Sequence, residues 1–313
     1  MGSFGVQTQE SALRSAVVGP TCLSLNSEPS PAFEEILRHD LLRSHFPLSL
    51  VTDVRLAKVE TLCHRPRMAF QVLVFSKTVD YRHDSIPAGI EGLRRLAADS
   101  MSSSVSPAPF TVTASEDAGL FTEAGLAQYR VIVLCQNSGD FLDADQLAAL
   151  KGFVRGGGGV VGIHCAAFGM PTRDVDTEGW YGRLIGAQFS DHPEPQTGIV
   201  RVVDPGHTLV ARGSGLKAMK ATADATYTWA CFDEWYNFTA DPRDNGIHVL
   251  LAVDETSYQG GKHGSDHPIA WCQEFEGSRS FYTALGHFDA AYADETFMAH
   301  VLNGILWTAR LID

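Results

Sequence analysis

Four consecutive glycines, Gly156 to Gly159, run into the apolar stretch Val160-Val161-Gly162-Ile163, and a histidine, His164, stands where that stretch gives out. Glycines at this density end a preceding helix, because each loses more backbone freedom in a helix than any other residue. A short run that is apolar at successive positions fits a strand covered on both faces, which is the condition of a parallel sheet packed between helices. In an open α/β sheet, ligands bind outside the carboxyl ends of the strands. His164 therefore stands where chemistry is usually done, although a histidine that merely caps a strand would read the same way in isolation.

The chain before and after this stretch supplies the rest of such a sheet. Phe70–Phe75, Phe110–Thr113 and Arg130–Cys135 read as strands. Between them, Pro87 opens a helix carrying Ile86, Ile90 and Leu93, and Asp143 with Gln146 makes a capping-box start for a helix bearing Leu147, Leu150 and Val154. Strand and helix alternate from 70 to 164, which predicts a parallel sheet with right-handed crossovers. After a helix around Trp180–Ile185 the character changes. Gly198–Val203, Ile247–Val253, Pro268–Phe275 and Arg279–Leu285 read as strands, the last two joined by a tight turn at Glu276-Gly277-Ser278. A final helix starts at Asp294 and buries Phe297, Val301 and Ile305. Residues 1–67 stand apart as an N-terminal extension without a chemical motif; a helix is expected from Ala32 to Arg43.

Composition narrows the partners. The net charge of −13 argues against nucleic acid and anionic membranes, both of which need clustered Lys and Arg. The six cysteines are scattered with no CxxC pair, which fits reduced thiols better than a disulfide framework. No stretch is apolar enough to span a bilayer, and the N-terminus lacks the basic start and apolar block of a signal peptide, so the expectation is a cytoplasmic protein with a small-molecule substrate. A homo-oligomer stays open.

Five places combine chemically able residues with a strand end or loop: Tyr81-Arg82-His83-Asp84; His164 with Cys165; Ser190-Asp191-His192-Pro193; Asp233-Glu234-Trp235-Tyr236-Asn237; and Asp266-His267-Pro268 with Gly286-His287. Histidine and carboxylate titrate or bind metal near neutral pH. A set of two histidines and a carboxylate suits a divalent metal with open positions, but no local spacing such as HExxH is present, so the fold would have to assemble it. The plain alternatives are loop histidines bonded to backbone, a turn at Asp266-His267-Pro268, and core aromatics at Trp235 and Tyr236. Glu234, set between Phe232 and Trp235, resists such a reading, because a carboxylate in apolar company costs energy unless paired or used. Cys165 follows a strand as a nucleophile would, but the elbow position itself falls on His164, and Cys165 reads as a small buried filler.

The stretches Phe75-Ser76-Lys77-Thr78 to Ile86, Gly157 to His164, Asp233 to Phe238, Asp266 to Trp271 and Leu285-Gly286-His287, in that order, resemble the ThuA-like (trehalose utilization) family from about Phe70 to Arg310. The resemblance implies one domain over 68–313 with an α/β fold, a flavodoxin-like parallel sheet similar to class I glutamine amidotransferases, with added antiparallel strands in the C-terminal half. Those amidotransferases carry a cysteine at the elbow. With His164 there, glutaminase chemistry is not expected, since imidazole does not replace a thiolate as the acylated nucleophile. The motif positions point to His83, His164, Glu234 and His287 as a polar cluster, with Asp266 and His267 nearby. Tyr81 stands where Phe is usual in the family, and His263 where Met is common.

The expected function is an enzyme acting on a small polyhydroxylated or carbonyl-bearing substrate of sugar or glycoside type, by hydrolysis, elimination or isomerisation. His164 and His287 would serve as base and acid, with Glu234 orienting them; alternatively His164, Glu234 and His287 would hold a divalent, zinc-like metal. His83, Arg82, Asp266 and His267 would bind hydroxyls, and Trp235 and Tyr236 would form a stacking wall. No nucleotide cofactor is expected. Three alternatives stand: a non-catalytic binding or scaffold protein on the same fold, an amidotransferase-like or cysteine hydrolase centred on Cys165, and a tailoring enzyme of secondary metabolism.

Overall fold

The computed structural model describes residues 69–102, 108–172, 179–211, 220–221 and 227–313. The N-terminal extension, with the helix expected at Ala32–Arg43, lies outside the described residues, as does most of the Ser/Pro-rich loop before Phe110.

The first four strands are β1 (Phe70–Phe75), β2 (Phe110–Ser115), β3 (Val131–Cys135) and β4 (Gly159–Ile163). They lie in the order β2-β1-β3-β4 and pair in parallel throughout. Helices α1 (Ile86–Ser102), α2 (Glu123–Leu126) and α3 (Ala144–Arg155) make the crossovers. Helix α3 begins at the capping box read from the sequence: Asp143 Oδ1 accepts from the Gln146 amide, and Gln146 Oε1 accepts from the Asp143 amide, each at 2.9 Å. Every residue of β3 and β4 is buried, as strands covered on both faces must be.

The chain then leaves the parallel pattern through α4 (Trp180–Ile185), β5 (Phe189–Asp191), β6 (Gln196–Val202), α5 (Thr208–Ala211), β7 (Lys220–Ala221), β8 (Tyr227–Asp233), β9 (Asn237–Phe238), β10 (His248–Asp254), β11 (His267–Phe275) and β12 (Ser278–Thr283), and closes with α6 (Glu295–Thr308), capped by Asp294. Strand β12 pairs in parallel with β4, so it fills the fifth place of a flavodoxin-type order, 2-1-3-4 followed by a strand from far along the chain. From β12 outward β11, β10, β6, β8 and β7 add on antiparallel, while β5 and β9 form a separate two-stranded sheet. The result is the α/β, flavodoxin-like sheet with an antiparallel C-terminal half that the sequence implies.

Side chains alternate across a strand, and β12 shows what covers each face. Ser280 Oγ donates to the Leu184 carbonyl of α4 at 2.6 Å, whereas Phe281 on the other side abuts Gly304 of α6. Helices α4 and α6 thus cover opposite faces, with Trp271, Tyr282, Phe281 and Ile305 buried between layers. Strand β8 is absent from the sequence reading. It is an outer strand of mixed exposure and carries no clean alternation of apolar and polar residues to betray it. The four cysteines among the described residues, Cys135, Cys165, Cys231 and Cys272, are free thiols. No described helix is long and apolar enough to cross a membrane.

Candidate active site

The carboxyl ends of β1, β4, β8 and β12 come together. The loop after β1 brings His83, the residue after β4 is His164, the residue after β8 is Glu234, and the turn after β12 brings His287. One donor atom from each of these four residues lies within 4.8 Å of every other.

His164 is held with some strain. Its φ of 51° places a non-glycine residue in the left-handed region, the backbone state of a nucleophile elbow. Two bonds to the chain around β12 hold it there: Tyr282 Oη donates to the His164 carbonyl at 2.8 Å, and His164 Nδ1 meets the Ala284 carbonyl at 2.6 Å. A carbonyl only accepts, so Nδ1 carries the proton and the lone pair of the neutral ring sits on Nε2. That nitrogen faces the cluster, 2.9 Å from Tyr236 Oη, 3.2 Å from His287 Nδ1 and 3.4 Å from Glu234 Oε2.

His287 is placed through its backbone. Asp233, fully buried at the end of β8, accepts hydrogen bonds from the amides of Glu234 (2.9 Å), Gly286 (2.8 Å) and His287 (3.1 Å). Ser85 Oγ donates to the His287 carbonyl at 2.5 Å. Gly286 has a φ of 114°, and a Cβ there would press on Tyr292 and Ile163, so only glycine turns the chain at this point. His287 Nδ1 then lies 3.0 Å from Glu234 Oε2.

Burial pushes the Glu234 carboxyl upward, but its contacts with the His164 and His287 rings outweigh this, and the group is held well below the usual carboxylate range. Burial, reinforced by the neighbouring His164 and His287, lowers the His83 imidazole to about 3, so it stays neutral at ordinary pH. Its Nδ1 is buried and has no hydrogen-bond partner.

These features fit a divalent cation. Bonds of about 2.1 Å to nitrogen and oxygen donors imply donor–donor edges of about 3.4 Å in a tetrahedron and about 3.0 Å in an octahedron. The three distances among His164 Nε2, His287 Nδ1 and Glu234 Oε2 are 3.0, 3.2 and 3.4 Å. Three imidazoles and one carboxylate, with one imidazole nitrogen buried and unpaired, form a borderline-hard donor set of the kind zinc and similar ions take.

Most of the other residues singled out from the sequence lie elsewhere. Asp266 forms a two-pronged surface ion pair with Arg243, Oδ1 accepting from Nη2 at 2.8 Å and Oδ2 from Nε. Arg82 pairs with Glu116 at 2.7 Å, both half exposed. His267 is fully buried, with Nδ1 2.8 Å from both Glu255 Oε1 and Tyr258 Oη and Nε2 2.8 Å from the Tyr236 carbonyl; it braces the segment after β8 from beneath. Trp235 is no wall but core: it is buried, and its indole donates to the Gln196 carbonyl at 3.0 Å. Tyr236 does reach the site, though through its hydroxyl on His164 rather than through an open face. Cys165 is buried, and burial pushes its thiol up to about 12.

One residue enters the site for which the sequence assigns no role, although it stands in one of the five chemically able places. His192, following β5, puts Nε2 3.5 Å from Glu234 Oε1, the oxygen turned away from His287. Its Nδ1 meets the Pro193 carbonyl at 2.9 Å and so carries the proton. Its ring is stacked at 22° on Tyr236. With its side chain 35% exposed, it is the most open ring of the group.

The ThuA family model, described as trehalose utilisation, matches residues 71–308. No curated protein matches the sequence. Among solved structures, a ThuA-like protein from Bacteroides uniformis is 22% identical, with a TM-score of 0.58 over 76% of this chain and 91% of its own. One from Parabacteroides merdae is 17% identical, with a TM-score of 0.58 over 77% and 90%. These likenesses bear on the fold.

Proposed function

Because the chain belongs to the ThuA family, we propose that it is an enzyme acting on a small polyhydroxylated or carbonyl-bearing substrate of sugar type, with His83, His164, Glu234 and His287 holding a divalent cation. The family's description, trehalose utilisation, points to a carbohydrate-related role. The observation that carries the reading is the set of donor spacings of 3.0–3.4 Å among three side chains that come from three different strand ends.

A cation bound there supplies Lewis-acid polarisation of a substrate oxygen. The protein's own groups divide the remaining work by exposure. His164 is sealed, with its Nδ1 proton committed to Ala284, so it serves as a holding group and exchanges no proton with solvent. His192 is the ring that substrate can reach. Its Nε2 lone pair and Glu234 Oε1, 3.5 Å apart, are both acceptors, so either can take the hydrogen of a substrate hydroxyl or water beside them. From that position Nε2 takes a proton from a water, as hydrolysis begins, or from the carbon beside a carbonyl, as elimination and isomerisation begin. The Ala284 carbonyl, accepting from His164 Nδ1, keeps that ring from turning.

The test is metal analysis of the purified protein and of Glu234→Gln, together with turnover of a panel of aldoses, ketoses and glycosides with and without chelator. One equivalent of zinc or a similar ion is expected in the wild type, with affinity at least tenfold lower in the variant and turnover lost with the ion. A wild-type protein that takes up no stoichiometric ion, or takes it up equally well with Gln at 234, would overturn the cation site. Stoichiometric ion without turnover of any member of the panel would favour a binding protein on the same fold.

A further inference from the structure

Among the described residues, five large hydrophobic side chains are exposed: Val79, Tyr81, Met101, Val203 and Phe232. Single exposed apolar residues are ordinary. Here, however, the two aromatic ones both stand at the edge of the histidine cluster. Tyr81, 60% exposed, sets its ring edge-on to His83, with centroids 4.7 Å apart. Phe232, 55% exposed, lies against Phe288 at 5.2 Å, and Phe288 is edge-on to His287 at 4.4 Å. The His83 and His287 rings are themselves 4.9 Å apart. Tyr81, His83, His287, Phe288 and Phe232 thus form an unbroken run of rings with polar imidazoles in the middle and an open aromatic at each end.

Neither end is a loose side chain. The Tyr81 carbonyl accepts from Ser138 Oγ at 2.6 Å, and Phe232 sits in β8 opposite Thr197 of β6. The rings are held open by anchored backbone, at a cost in unburied apolar area. A small charged substrate would use the imidazoles and carboxylate and gain nothing from those faces. A ligand with hydroxyls along its edge and C–H bonds on its face gains from both, and a pyranose ring is such a ligand.

We infer that Tyr81 and Phe232 are the stacking faces of a pyranose subsite at the mouth of the cluster and set its preference for cyclic sugars over open-chain polyols. The inference rests on reading the cluster as a sugar site and adds the residues that grip the ring.

The test uses the full chain loaded with zinc, and calorimetric titration with methyl α-glucopyranoside, trehalose and glycerol. Tyr81→Ala and Phe232→Ala are each expected to weaken binding of the two pyranosides about two- to tenfold, with the double variant weaker still, and to leave zinc content and the response to glycerol unchanged. Tyr81→Phe, which keeps the face, should bind as the wild type does. Pyranoside affinity unchanged in the double variant overturns the inference, and so does a wild type that binds neither pyranoside in the millimolar range. A lowered unfolding midpoint of the double variant with unaltered sugar affinity would assign the rings to packing against another part of the chain, which also overturns it. Loss of zinc in Glu234→Gln is read separately. Zinc bound without ring-dependent affinity defeats the subsite alone; ring-dependent affinity in a protein that binds no zinc defeats the cation site alone.

Discussion

His164 occupies the strained elbow that in related folds presents a nucleophile, and its neighbour Cys165 shows why the thiol does not take over that task. Cys165 is buried, and its thiol is raised to about 12, so almost no thiolate exists near neutral pH. Cys165→Ser should retain turnover within about twofold, and the wild-type thiol should react with iodoacetamide more slowly than free cysteine; loss of activity in the serine variant would return Cys165 to the chemistry. At this scale the sequence was legible where a residue's position follows from its own strand. His164 and His287 stand at or just past strand ends that the residues themselves mark, whereas Glu234 follows β8, which they do not mark, and stands out instead by its apolar neighbours. His192 was visible as a polar residue but not as a partner of Glu234, since that pairing depends on the three-residue strand β5 and on where β8 ends. Asp266 and Trp235 misled for a related reason. The partners that draw Asp266 to the surface and Trp235 into the core, Arg243 and Gln196, are distant in sequence and nothing local announces them.

Among the elements, the end of β8 carries the most consequence for the least chain. Asp233 gathers three amides from two segments more than fifty residues apart and so fixes the interval between Glu234 and His287. Asp233→Asn leaves one oxygen where there were two. It should lower cation affinity about 10- to 100-fold, as loss of a supporting contact does, while the circular dichroism spectrum stays that of the wild type. Helix α6 offers a test of packing independent of the site. A Cβ on Gly304 would come within 2.5 Å of the Phe281 ring. Gly304→Ala should therefore cost about 1–3 kcal/mol in urea unfolding, as overpacking does; a stabilised variant would show that α6 is free to shift on β12. The elements themselves were readable from β1 to β4, where apolar strands and capped helices alternate. They were harder to read beyond α4, where β5, β7, β8 and β9 are short or half exposed and are defined by their partners rather than by their own residues.

For the molecule as a whole, buried imidazoles tie stability to pH. His300 in α6 is buried, its Nε2 has no partner, and burial lowers it to about 4. Its ordinary value in an unfolded chain is about 6.5. Between these values the unfolded state binds more protons, so stability is complete above about pH 6.5 and is lost as pH falls toward 4. His300→Leu should lose about 2 kcal/mol less stability than the wild type between pH 7 and pH 5, measured by urea unfolding at both; an identical loss in the two proteins would mean that His300 does not carry this dependence. The order of the sheet has a different consequence. Strand β12, made after all the others, is inserted beside β4, and His287 just beyond it lies 123 residues from His164. A nascent chain that has completed β1 to β4 owns two imidazoles but neither the carboxylate nor the third ring. If the four side chains hold an ion, as proposed, it is taken up only late in maturation, and a stalled or clipped polypeptide lacking β12 would have no such site however well its first half had folded.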